Sequence, residues 1–363
     1  EMVEVKQGRL SLSGLEYRAL LVPESRYMKV ETFGRLAELS ETGGRVIFKA
    51  LPESVPGYHR CGERNEQLES LKATNGESLN VASDPLGELA RQGIHRESLV
   101  DFGLDFIRRD KADGKIYYLV NHSPRKIDAY VSLNSRAKSV VLMDPRTGDT
   151  GLGKSLSKKD HTEVYLQIQP GESLIINTFD KKKDVPAWPY FQQTGAAVKL
   201  TGTWQLKFLE GGPELPEPAS MEELKSWTQL DQKAEAFSGT VRYTLEFEHP
   251  YPKARVCLLD LGDVRESARI WINGEYLDCL WSVPFSLPVE TLHEGKNTLE
   301  IEVTNLSANR LRDLERRGEE WKIFYEINMV NRHYEPFDAR NWEPMPSGLI
   351  EAVTLTPLRF RDL

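Results

Sequence analysis

In the first 97 positions, hydrophobic residues recur at the spacing of helices set between short strands. Between positions 30 and 42 the apolar side chains fall on one helical face. Gly43-Gly44 then ends the helix, because glycine readily takes a left-handed conformation. Apolar runs at Tyr17–Val22 and Arg45–Ala50 flank this helix, and this order predicts a parallel β-α-β unit with a right-handed crossover. We therefore predict a partial α/β domain, with further helices at positions 63–73 and 84–93.

From position 98 to 180 the apolar residues alternate with polar ones, which is the period of a half-buried strand. Turn residues such as Pro170-Gly171 separate the alternating stretches. These stretches occupy positions 115–121, 127–133, 139–143, 164–168 and 173–177. Short strands that follow one another closely are typical of a β-sandwich, so residues 98–180 are predicted to form a small antiparallel sandwich.

The alternation stops at residues 181–197. This stretch contains the basic run Lys181–Lys183 together with Pro186, Pro189 and Gly195. Such a composition is typical of a connection between domains, and we predict a linker here.

Strand patterns resume at position 198 and continue to the C-terminus. Asn273-Gly274 lies between two alternating runs and predicts a type I′ hairpin turn, because both residues accept positive φ angles. Residues 198–363 are therefore predicted to form an antiparallel jelly-roll sandwich. The predicted fold class is an α/β N-terminal domain (1–97) followed by two all-β domains, an antiparallel β-sandwich and a C-terminal jelly roll.

Charge and hydropathy exclude two classes of partner. The formal net charge of −8 and the isoelectric point of about 5.6 argue against nucleic acid, which usually requires a basic face. We interpret Lys181–Lys183 as a solvated part of the linker. No stretch approaches the ~20 apolar residues of a membrane span. The sequence therefore predicts neither a nucleic-acid partner nor a membrane span.

The segment Gly148–Ser155 matches the phosphate-loop pattern G-x-x-x-x-G-K-[ST]. A phosphate loop needs a strand directly before it and a helix directly after it. Here Asp144–Gly148 already forms a turn, and the strand pattern Val164–Ile168 follows. We predict that Gly148–Ser155 binds no nucleotide.

Other reactive residue types indicate no metal or catalytic centre. The seven histidines lack metal-ligand spacing such as H-E-x-x-H. Glu300 and Glu302 alternate with apolar residues on one strand and are predicted to face solvent. The three cysteines, Cys61, Cys257 and Cys279, form no disulfide framework, and we expect buried free thiols, with a Cys257–Cys279 bond as the alternative.

Candidate binding chemistry gathers in the last region. Sugars present C–H faces to aromatic rings and hydroxyl groups to amide or charged side chains. Trp281 ends a predicted strand, and nearby predicted turns at strand ends carry amide and charged groups. The candidate residues are Trp281, Asp263, Arg265, Asn305, Asn309 and Arg310. We predict that they form either a carbohydrate site or a surface that contacts another domain.

The order of several motifs resembles a known family. Tyr17–Met28, followed by the helix and Gly43–Ile47, is similar to the flavodoxin- or amidotransferase-like α/β domain that follows the catalytic barrel in glycoside hydrolase family 106, the α-L-rhamnosidases. Ile116–Asn121 and Met143–Gly148 resemble the β-sandwich of that family. Three segments resemble the galactose-binding-like sandwich shared with family 2 β-galactosidases and β-glucuronidases, and Ser347–Ile350 resembles the family's closing segment. The three segments are Phe237–Tyr243, Leu259–Arg265 and Val303–Leu311.

The resemblance implies a bacterial, extracytoplasmic protein, periplasmic or secreted, whose partner is carbohydrate and whose substrate is plant polysaccharide. In the family the catalytic glutamates lie on a (β/α)₈ barrel, which takes ~250 residues and which nothing in this sequence supplies. No catalytic residue is carried over, and we expect the catalytic domain to lie upstream. The resemblance permits a structural calcium ion, but no ligand cluster in the sequence indicates one, and we predict no cofactor.

Two classes of function remain open. The first is the accessory, non-catalytic part of an α-L-rhamnosidase-like hydrolase. The second is a stand-alone carbohydrate-binding or structural protein without hydrolase activity. Because Glu1 lies in what reads as the middle of a domain, and a single β-α-β unit is too small to be complete, the sequence favours the first class.

Overall fold

Two glycine-containing turns organise the first strands of the chain. The structure, a computed structural model, describes residues 3–323, 330 and 332–363. Gln7-Gly8 has φ angles of 51° and 75°, and Ser13-Gly14 has 50° and 82°, which are the positive values that a type I′ turn requires. These turns join an antiparallel sheet of three strands: β1 (Glu4–Lys6), β2 (Arg9–Leu12) and β3 (Leu15–Tyr17).

A small parallel sheet with helices follows the hairpins. Its elements are β4 (Leu20–Val22), α1 (Val30–Glu41), β5 (Val46–Phe48), α2 (Cys61–Asn75), β6 (Asn80–Val81) and α3 (Pro85–Arg91). β4 pairs in parallel with β5, and β5 with β6, which is the pairing expected of the predicted β-α-β unit. α1 buries Phe33, Ala37 and Leu39, and the ring centroid of Phe33 lies 5.8 Å from that of Phe48. The helical spacing of the apolar residues therefore identifies the buried face of α1.

The strand predicted at Tyr17–Val22 is in fact two strands in different sheets. Tyr17 ends β3 and pairs antiparallel with Leu10, whereas Leu20–Val22 pairs in parallel with β5. Apolar periodicity records burial but not the pairing partner, so it does not reveal where one strand stops and the next begins.

The chain divides into two compact units, Glu1–Ser98 and Leu99–Leu363. The second unit opens with a sandwich of two sheets, which we call the middle sandwich. Its strands are β7 (Asp105–Lys111), β8 (Gly114–Val120), β9 (Ile127–Leu133), β10 (Ser139–Met143), β11 (Thr150–Leu152), β12 (Ser155–Ser157), β13 (Thr162–Ile168) and β14 (Ser173–Phe179). One sheet has the order β11-β10-β14-β8-β7 and the other β12-β13-β9, all pairs being antiparallel. Alternate residues such as Tyr117, Leu119 and Val131 are buried between them.

The second unit ends with a larger sandwich, which we call the last sandwich. Its elements are β15 (Phe191–Gln193), β16 (Val198–Lys199), β17 (Trp204–Gly212), β18 (Ala219–Met221), α4 (Gln232–Ala236), β19 (Ser238–Glu248), β20 (Val256–Asp260), β21 (Val264–Arg265), β22 (Ser267–Ile272), β23 (Glu275–Leu280), β24 (Ser286–Val289), β25 (Lys296–Thr304), α5 (Ala308–Arg317), β26 (Gly348–Leu349) and β27 (Thr354–Phe360). The sheets β18-β17-β19-β25-β22-β23 and β15-β27-β20-β24 enclose a core that contains Trp204, Trp227 and Tyr243. The predicted succession of two antiparallel sandwiches is confirmed.

The hairpin predicted at Asn273-Gly274 is confirmed. The two residues have φ angles of 53° and 83° and join β22 to β23. The side chain of Asn273 also accepts a hydrogen bond from the backbone N–H of Thr298 and donates one to Asn297. The turn is therefore fixed both by its backbone conformation and by its neighbour strand.

The segment predicted as a linker is packed rather than free. Its backbone exchanges hydrogen bonds with Leu152, whose N–H donates to the carbonyl of Pro186 at 2.7 Å and whose carbonyl accepts from the N–H of Trp188 at 3.0 Å. Tyr190 is buried in the core of the middle sandwich, and Phe191–Gln193 joins the sheet of the last sandwich. The aromatic residues between the prolines supply the apolar area that makes this connection an ordered one.

Helix α5 is an element that the apolar pattern missed. Asn309 and Arg310, predicted to lie in a strand-end turn, occupy its first turn. The buried face of the helix is polar: Arg312 donates from Nε to the carbonyl of Trp342 at 2.7 Å and from Nη1 to Glu235 at 2.7 Å. A helix that packs through charged groups leaves no apolar stripe in the sequence.

The three cysteines are free thiols, with Cys257 buried and Cys61 and Cys279 half-buried. Cys257 lies on β20 and Cys279 on β23, which belong to different sheets. Free thiols are therefore confirmed over the alternative bond, whereas the predicted burial is observed for Cys257 but not for Cys279. Across the described residues, no helix is both long enough and apolar enough to cross a membrane.

Candidate functional site

A cleft of about 550 Å³ opens at one end of the last sandwich. The short strand β21 and the loop that follows β23 form its walls. Its polar and aromatic lining includes Asp263, Arg265, Glu266, Trp281, Ser282 and Glu351. Three of the six residues singled out from the sequence, Trp281, Asp263 and Arg265, are thus brought together around one depression.

Arg265 is held in the cleft by its neighbour two positions earlier. Its Nη2 donates to Oδ2 of Asp263 at 2.5 Å, and this hydrogen bond is the main reason that the pKa of Arg265 lies above its ordinary value. The backbone carbonyl of Asp263 accepts from Ile350 at 2.9 Å, so the acidic residue is itself anchored. Arg265 therefore presents a fixed cation that already has an anionic partner.

Trp281 differs from the tryptophans of the core. Leu280, the last residue of β23, is fully buried, whereas the Trp281 side chain directly after it is 63% exposed. By contrast, Trp204 and Trp227 are no more than 1% exposed. An aromatic ring left in water at the edge of a polar depression costs solvation free energy and is typical of a binding surface.

A second depression also has Trp281 in its lining. This cavity of about 130 Å³ forms between the middle and last sandwiches, both of which belong to the second compact unit. The middle sandwich contributes Tyr118, Asp144, Arg146, Gly171, Glu172 and Ser173, and the last sandwich contributes Trp281–Pro284 and Ser286. Trp281 is therefore a shared wall of the cleft and the cavity.

An ion pair crosses between the two sandwiches beside the cavity. Nη1 of Arg146 lies 2.5 Å from Oδ2 of Asp278, and both side chains are only about a quarter exposed, at 22% and 29%. Oδ1 of Asp278 also accepts from the backbone N–H of Cys279 at 2.7 Å. The guanidinium of Arg146 is thereby fixed at the cavity wall.

Within the cavity wall, Glu172 has a carboxyl group whose pKa is raised. Burial raises the pKa of its carboxyl group, and the negative charge of Asp144 raises it further. A hydrogen bond from the backbone N–H of Gln169, at 2.6 Å, and the charges of Arg146 and Lys126 oppose that rise. Glu172 is therefore a carboxyl group whose ionisation is penalised where a ligand could contact it.

Asn305 and Asn309 serve the framework rather than the open surface. Nδ2 of Asn305 donates to Oγ of Ser347 at 2.9 Å, while its Oδ1 accepts from Gly239. Asn309 is 1% exposed and exchanges hydrogen bonds of 2.9 and 2.7 Å with the backbone of Met345. The backbone N–H of Ser347 donates in turn to Oγ of Ser226 at 2.9 Å.

We call Ser226, Asn305, Asn309 and Ser347 the Ser347 anchor. It fixes the chain directly before Gly348, whose partner in the β21–β26 pair is Arg265. A side chain at Gly348 would overlap the hydroxyl group of buried Tyr243, which explains the glycine at this position. The two asparagines therefore position the cleft from beneath and do not line it.

Arg310 lines neither depression. It is exposed on the first turn of α5, and its backbone N–H donates to Oγ of Ser238 at 3.2 Å. Its guanidinium lies over Gly212, where an added side chain would meet Nη1 at 2.8 Å. Its predicted place beside Trp281 is not observed, because the helix that begins at Ala308 directs it elsewhere.

Tyr118, Arg146 and Glu172 were not identified from the sequence. They precede Trp281 by more than 100 positions, so no local spacing connects them to it. The one available signal was weak: Tyr118 occupies an outward position of an alternating strand and is 42% exposed.

Glu302 was predicted to face solvent, and this is wrong. It is 6% exposed, and Arg242 and Arg269 approach its carboxylate at 2.6 and 3.0 Å. Both arginines stand directly opposite Glu302 on the adjacent strands. Cross-strand neighbours of opposite charge can cover an outward carboxylate, which alternation along one strand does not reveal.

The glycines of Gly148–Ser155 have structural explanations. Thr150–Leu152 within the motif pairs antiparallel with β10, and the strand Ser155–Ser157 follows where a phosphate loop would have a helix. A side chain at Gly151 would meet the backbone of Trp188 at 2.7 Å, and one at Gly153 would meet Leu142 at 2.9 Å. Close packing thus accounts for both residues. In the described part of the chain, no group of three or more His, Cys, Asp or Glu residues is placed to hold a metal ion.

Comparison with known proteins follows this geometry. The sequence model of the α-L-rhamnosidase family matches residues 1–152. A rhamnosidase from Novosphingobium sp. PP1Y has a similar structure over 99% of this chain, with a TM-score of 0.67 and 23% sequence identity, which establishes the fold alone. The chain covers 35% of that rhamnosidase.

The C-terminal region has a second relationship. It is 35% identical, over an alignment of 187 positions, to a protein of Formosa agariphila described as a putative β-glucuronidase. That alignment covers 46% of this chain and 16% of the relative. The chain therefore spans about a third or less of the proteins it matches. The resemblance to α-L-rhamnosidases, with a C-terminal sandwich of the β-glucuronidase type, is confirmed, and the protein is glycosidase-like.

Proposed function

We propose that this chain is the accessory, non-catalytic part of an α-L-rhamnosidase-like glycoside hydrolase, and that it contacts carbohydrate at the cleft beside Trp281. The observation that carries the proposal is the exposed Trp281 ring next to the fixed Arg265–Asp263 pair. An aromatic face with charged hydrogen-bonding groups at its edge matches the C–H faces and hydroxyl groups of a sugar.

The non-catalytic assignment has separate support. The sheets of the described residues are a three-stranded parallel sheet and several antiparallel ones, none of which is an eight-stranded parallel barrel. Each match to a known protein covers a minor share of that protein, which leaves room for a catalytic domain elsewhere in the full-length enzyme. On this proposal the whole enzyme acts outside the cytoplasm on plant polysaccharide, and the domain upstream of this chain carries the catalytic carboxylates.

The first experiment measures hydrolysis and binding on the same preparation. The purified chain is incubated with aryl α-L-rhamnosides, and we expect no release of the aryl group above the enzyme-free control. NMR titration with L-rhamnose and with galacturonic acid oligosaccharides should shift the indole N–H signal of Trp281 under at least one ligand. A monosaccharide affinity in the millimolar range, about −4 kcal/mol, is expected for so open a cleft.

The matched control is another partly exposed tryptophan. Trp342 is 40% exposed and packs edge-on against Phe337, away from both depressions. Trp281→Ala lacks the indole signal itself, so the comparison uses the backbone N–H signals of the cleft residues. Trp281→Ala should abolish their ligand-induced shifts, whereas Trp342→Ala should preserve them. Turnover that an acidic-residue substitution within this chain removes would contradict the non-catalytic part of the proposal, and shifts confined to residues 1–98 would contradict the site.

A further inference from the structure

The cavity between the two sandwiches has the features of a ring-binding site, although no residue of its middle-sandwich wall has an assigned role. Two aromatic residues are part of its lining: Trp281, 63% exposed, and Tyr118, 42% exposed. The same lining includes Arg146, Glu172, Ser173 and Ser286. Aromatic surface beside hydrogen-bonding groups of both kinds is the composition that a pyranose ring requires.

The size of the cavity fits one ring. Its volume is about 130 Å³, and a protein cavity of about 150 Å³ is known to hold benzene, a six-membered carbon ring. The walls come from elements that pack closely, since a side chain added at Gly171 would meet Cγ2 of Val283 at 2.5 Å, and Arg146 pairs with Asp278. The cavity is therefore built by two sandwiches that are held in register at its rim.

The charges around Trp281 select against an anionic ligand. In the cleft, Asp263, Glu266 and Glu351 surround one arginine, and that arginine is paired with Asp263. In the cavity, Asp144 and Glu172 accompany Arg146, which is paired with Asp278.

Lys126, whose charge acts on Glu172, is outside the cavity lining, and its Nζ lies 3.5 Å from Oδ2 of Asp128. Recognition of a sugar carboxylate typically uses a guanidinium free to form two parallel hydrogen bonds. Both arginines here already have an aspartate partner, and the remaining carboxylates would repel a uronate.

We propose that the cavity is a second saccharide subsite, continuous with the cleft across Trp281, and that the two subsites together take a neutral oligosaccharide in preference to a uronic acid. The inference rests on the proposed function, because it assumes that Trp281 contacts carbohydrate. Neutral hydroxyl groups donate to the carboxylates of both depressions, and the two faces of the shared tryptophan separate adjacent sugar rings. Tyr118 then closes the cavity subsite over the second ring.

The first arm of the test measures the gain from a second ring. Affinities of L-rhamnose and of an α-linked rhamnose disaccharide are determined by NMR titration for the wild-type chain, Tyr118→Thr and Trp281→Ala. The disaccharide should bind about tenfold more tightly than the monosaccharide, a difference of about 1.4 kcal/mol. Tyr118→Thr keeps a residue suited to a strand and should lower disaccharide affinity to that of the monosaccharide.

The second arm measures the preference for neutral sugars. Digalacturonate should bind the wild-type chain at least tenfold more weakly than the rhamnose disaccharide. Asp263→Asn removes the partner of Arg265 and should raise digalacturonate affinity about tenfold, because the guanidinium becomes available. The matched control is Asp338→Asn, since Asp338 and Arg340 form a pair with the same spacing, at 2.7 Å, outside both depressions.

Each outcome decides the inference. A disaccharide gain that Tyr118→Thr leaves intact, or digalacturonate binding as tight as that of the neutral disaccharide, overturns the second subsite or its selectivity, while loss of binding in Trp281→Ala still supports the proposed function. Equal affinity of the wild-type chain for one and two sugar rings also overturns the second subsite. If no saccharide binds the wild-type chain, the proposed function fails and the inference fails with it.

Discussion

The Ser347 anchor and the cleft beside Trp281 both contain polar side chains, but they use them for opposite purposes. In the anchor, amide and hydroxyl groups hydrogen-bond to one another and to the backbone, and Asn309 is only 1% exposed. At the cleft, Trp281 leaves most of its ring in water, and Arg265 remains 41% exposed. Yet the two regions are adjacent in the fold, because the anchor holds the segment that pairs with β21.

The difference shows how a β-sandwich end is divided into support and surface. Buried polar groups must find partners within the protein, so the anchor stabilises the loop but has no capacity left for a ligand. Exposed groups lose little by remaining in water, so they contribute little to stability and remain free to bind. The comparison predicts that substitutions on the two sides separate stability from binding.

The largest effect is expected from Asn309→Ala. The substitution removes both hydrogen bonds between buried Asn309 and the Met345 backbone and leaves a small cavity, and only the Met345 carbonyl keeps a partner, the hydroxyl group of Ser347. The free energy of unfolding should therefore fall by about 3 kcal/mol. Trp281→Ala should change it by no more than about 0.5 kcal/mol, since the ring is mostly exposed. Urea unfolding followed by circular dichroism measures both variants. Equal losses of stability would mean that the two regions are not distinct in the way described.

The next effect concerns the contact that builds the cavity rim. Gly171 has a φ angle of +80°, and a side chain there would meet Cγ2 of Val283 at 2.5 Å. Gly148 has a nearly identical φ of +81° but nothing within 4 Å, so it is a matched control for backbone strain alone. We expect Gly148→Ala to cost about 1 kcal/mol and Gly171→Ala about 2 kcal/mol more.

The same urea titrations compare the two glycine variants. Gly171→Ala should also shift the NMR signals of Trp281, because Val283 lies two positions from it, and Gly148→Ala should not. If both variants lose the same stability, the contact between the 171 turn and Val283 contributes nothing to the rim.

A smaller effect is expected from the ion pair between the sandwiches. A double-mutant cycle on Arg146→Ala and Asp278→Ala should give a coupling free energy of about 1 kcal/mol, since both groups are partly shielded from water. Arg255 and Glu290, whose side chains are 80% and 48% exposed and 3.4 Å apart, provide a control cycle with coupling near zero. If the coupling between Arg146 and Asp278 is electrostatic, raising the salt concentration in the unfolding experiments should reduce it and leave the control coupling unchanged.

The last prediction uses pH to test the environment of Glu172. Because burial raises the pKa of its carboxyl in the folded protein, the stability contributed by the protonated form is present below the unfolded-state pKa and is lost as pH rises through the folded-state pKa. Glu172→Gln cannot ionise, so its stability relative to the wild type should improve over that pH interval. Unfolding midpoints of the two proteins measured from acidic to neutral pH check the sign. A difference that does not depend on pH would show that Glu172 is not desolvated.

Much of the architecture was readable from periodicity. α1 and the strands β8, β9 and β10 lie where the apolar pattern places them, and the Asn273-Gly274 turn has the predicted conformation. The apolar residues of α1 recur at helical spacing, those of β8 and β9 partly alternate, and those of β10 form a continuous buried run, so in each element the apolar positions mark the buried ones. α5 was missed because its buried face consists of polar side chains with specific partners, and periodicity carries no signal for such a face.

The candidate site was predicted in part. Trp281, Asp263 and Arg265 share the cleft, whereas Asn305 and Asn309 support it and Arg310 lies elsewhere. Residue type predicts what a side chain is able to bind but not whether its bonding capacity is already used. The opposite wall of the cavity, Tyr118 with Glu172, was missed altogether because it belongs to the other sandwich.

The sequence by itself therefore determined the succession of α/β segment and β-sandwiches, the hairpin at Asn273-Gly274, and the presence of an aromatic residue at the end of a strand. Only the tertiary structure decided which polar groups hydrogen-bond to one another and which line an open depression. The alternation of apolar and polar residues along the chain indicates which side chains are buried and which face solvent. Which groups more than 100 positions apart come into contact depends on how the sheets pack against one another. That packing decides which polar groups form hydrogen bonds with each other.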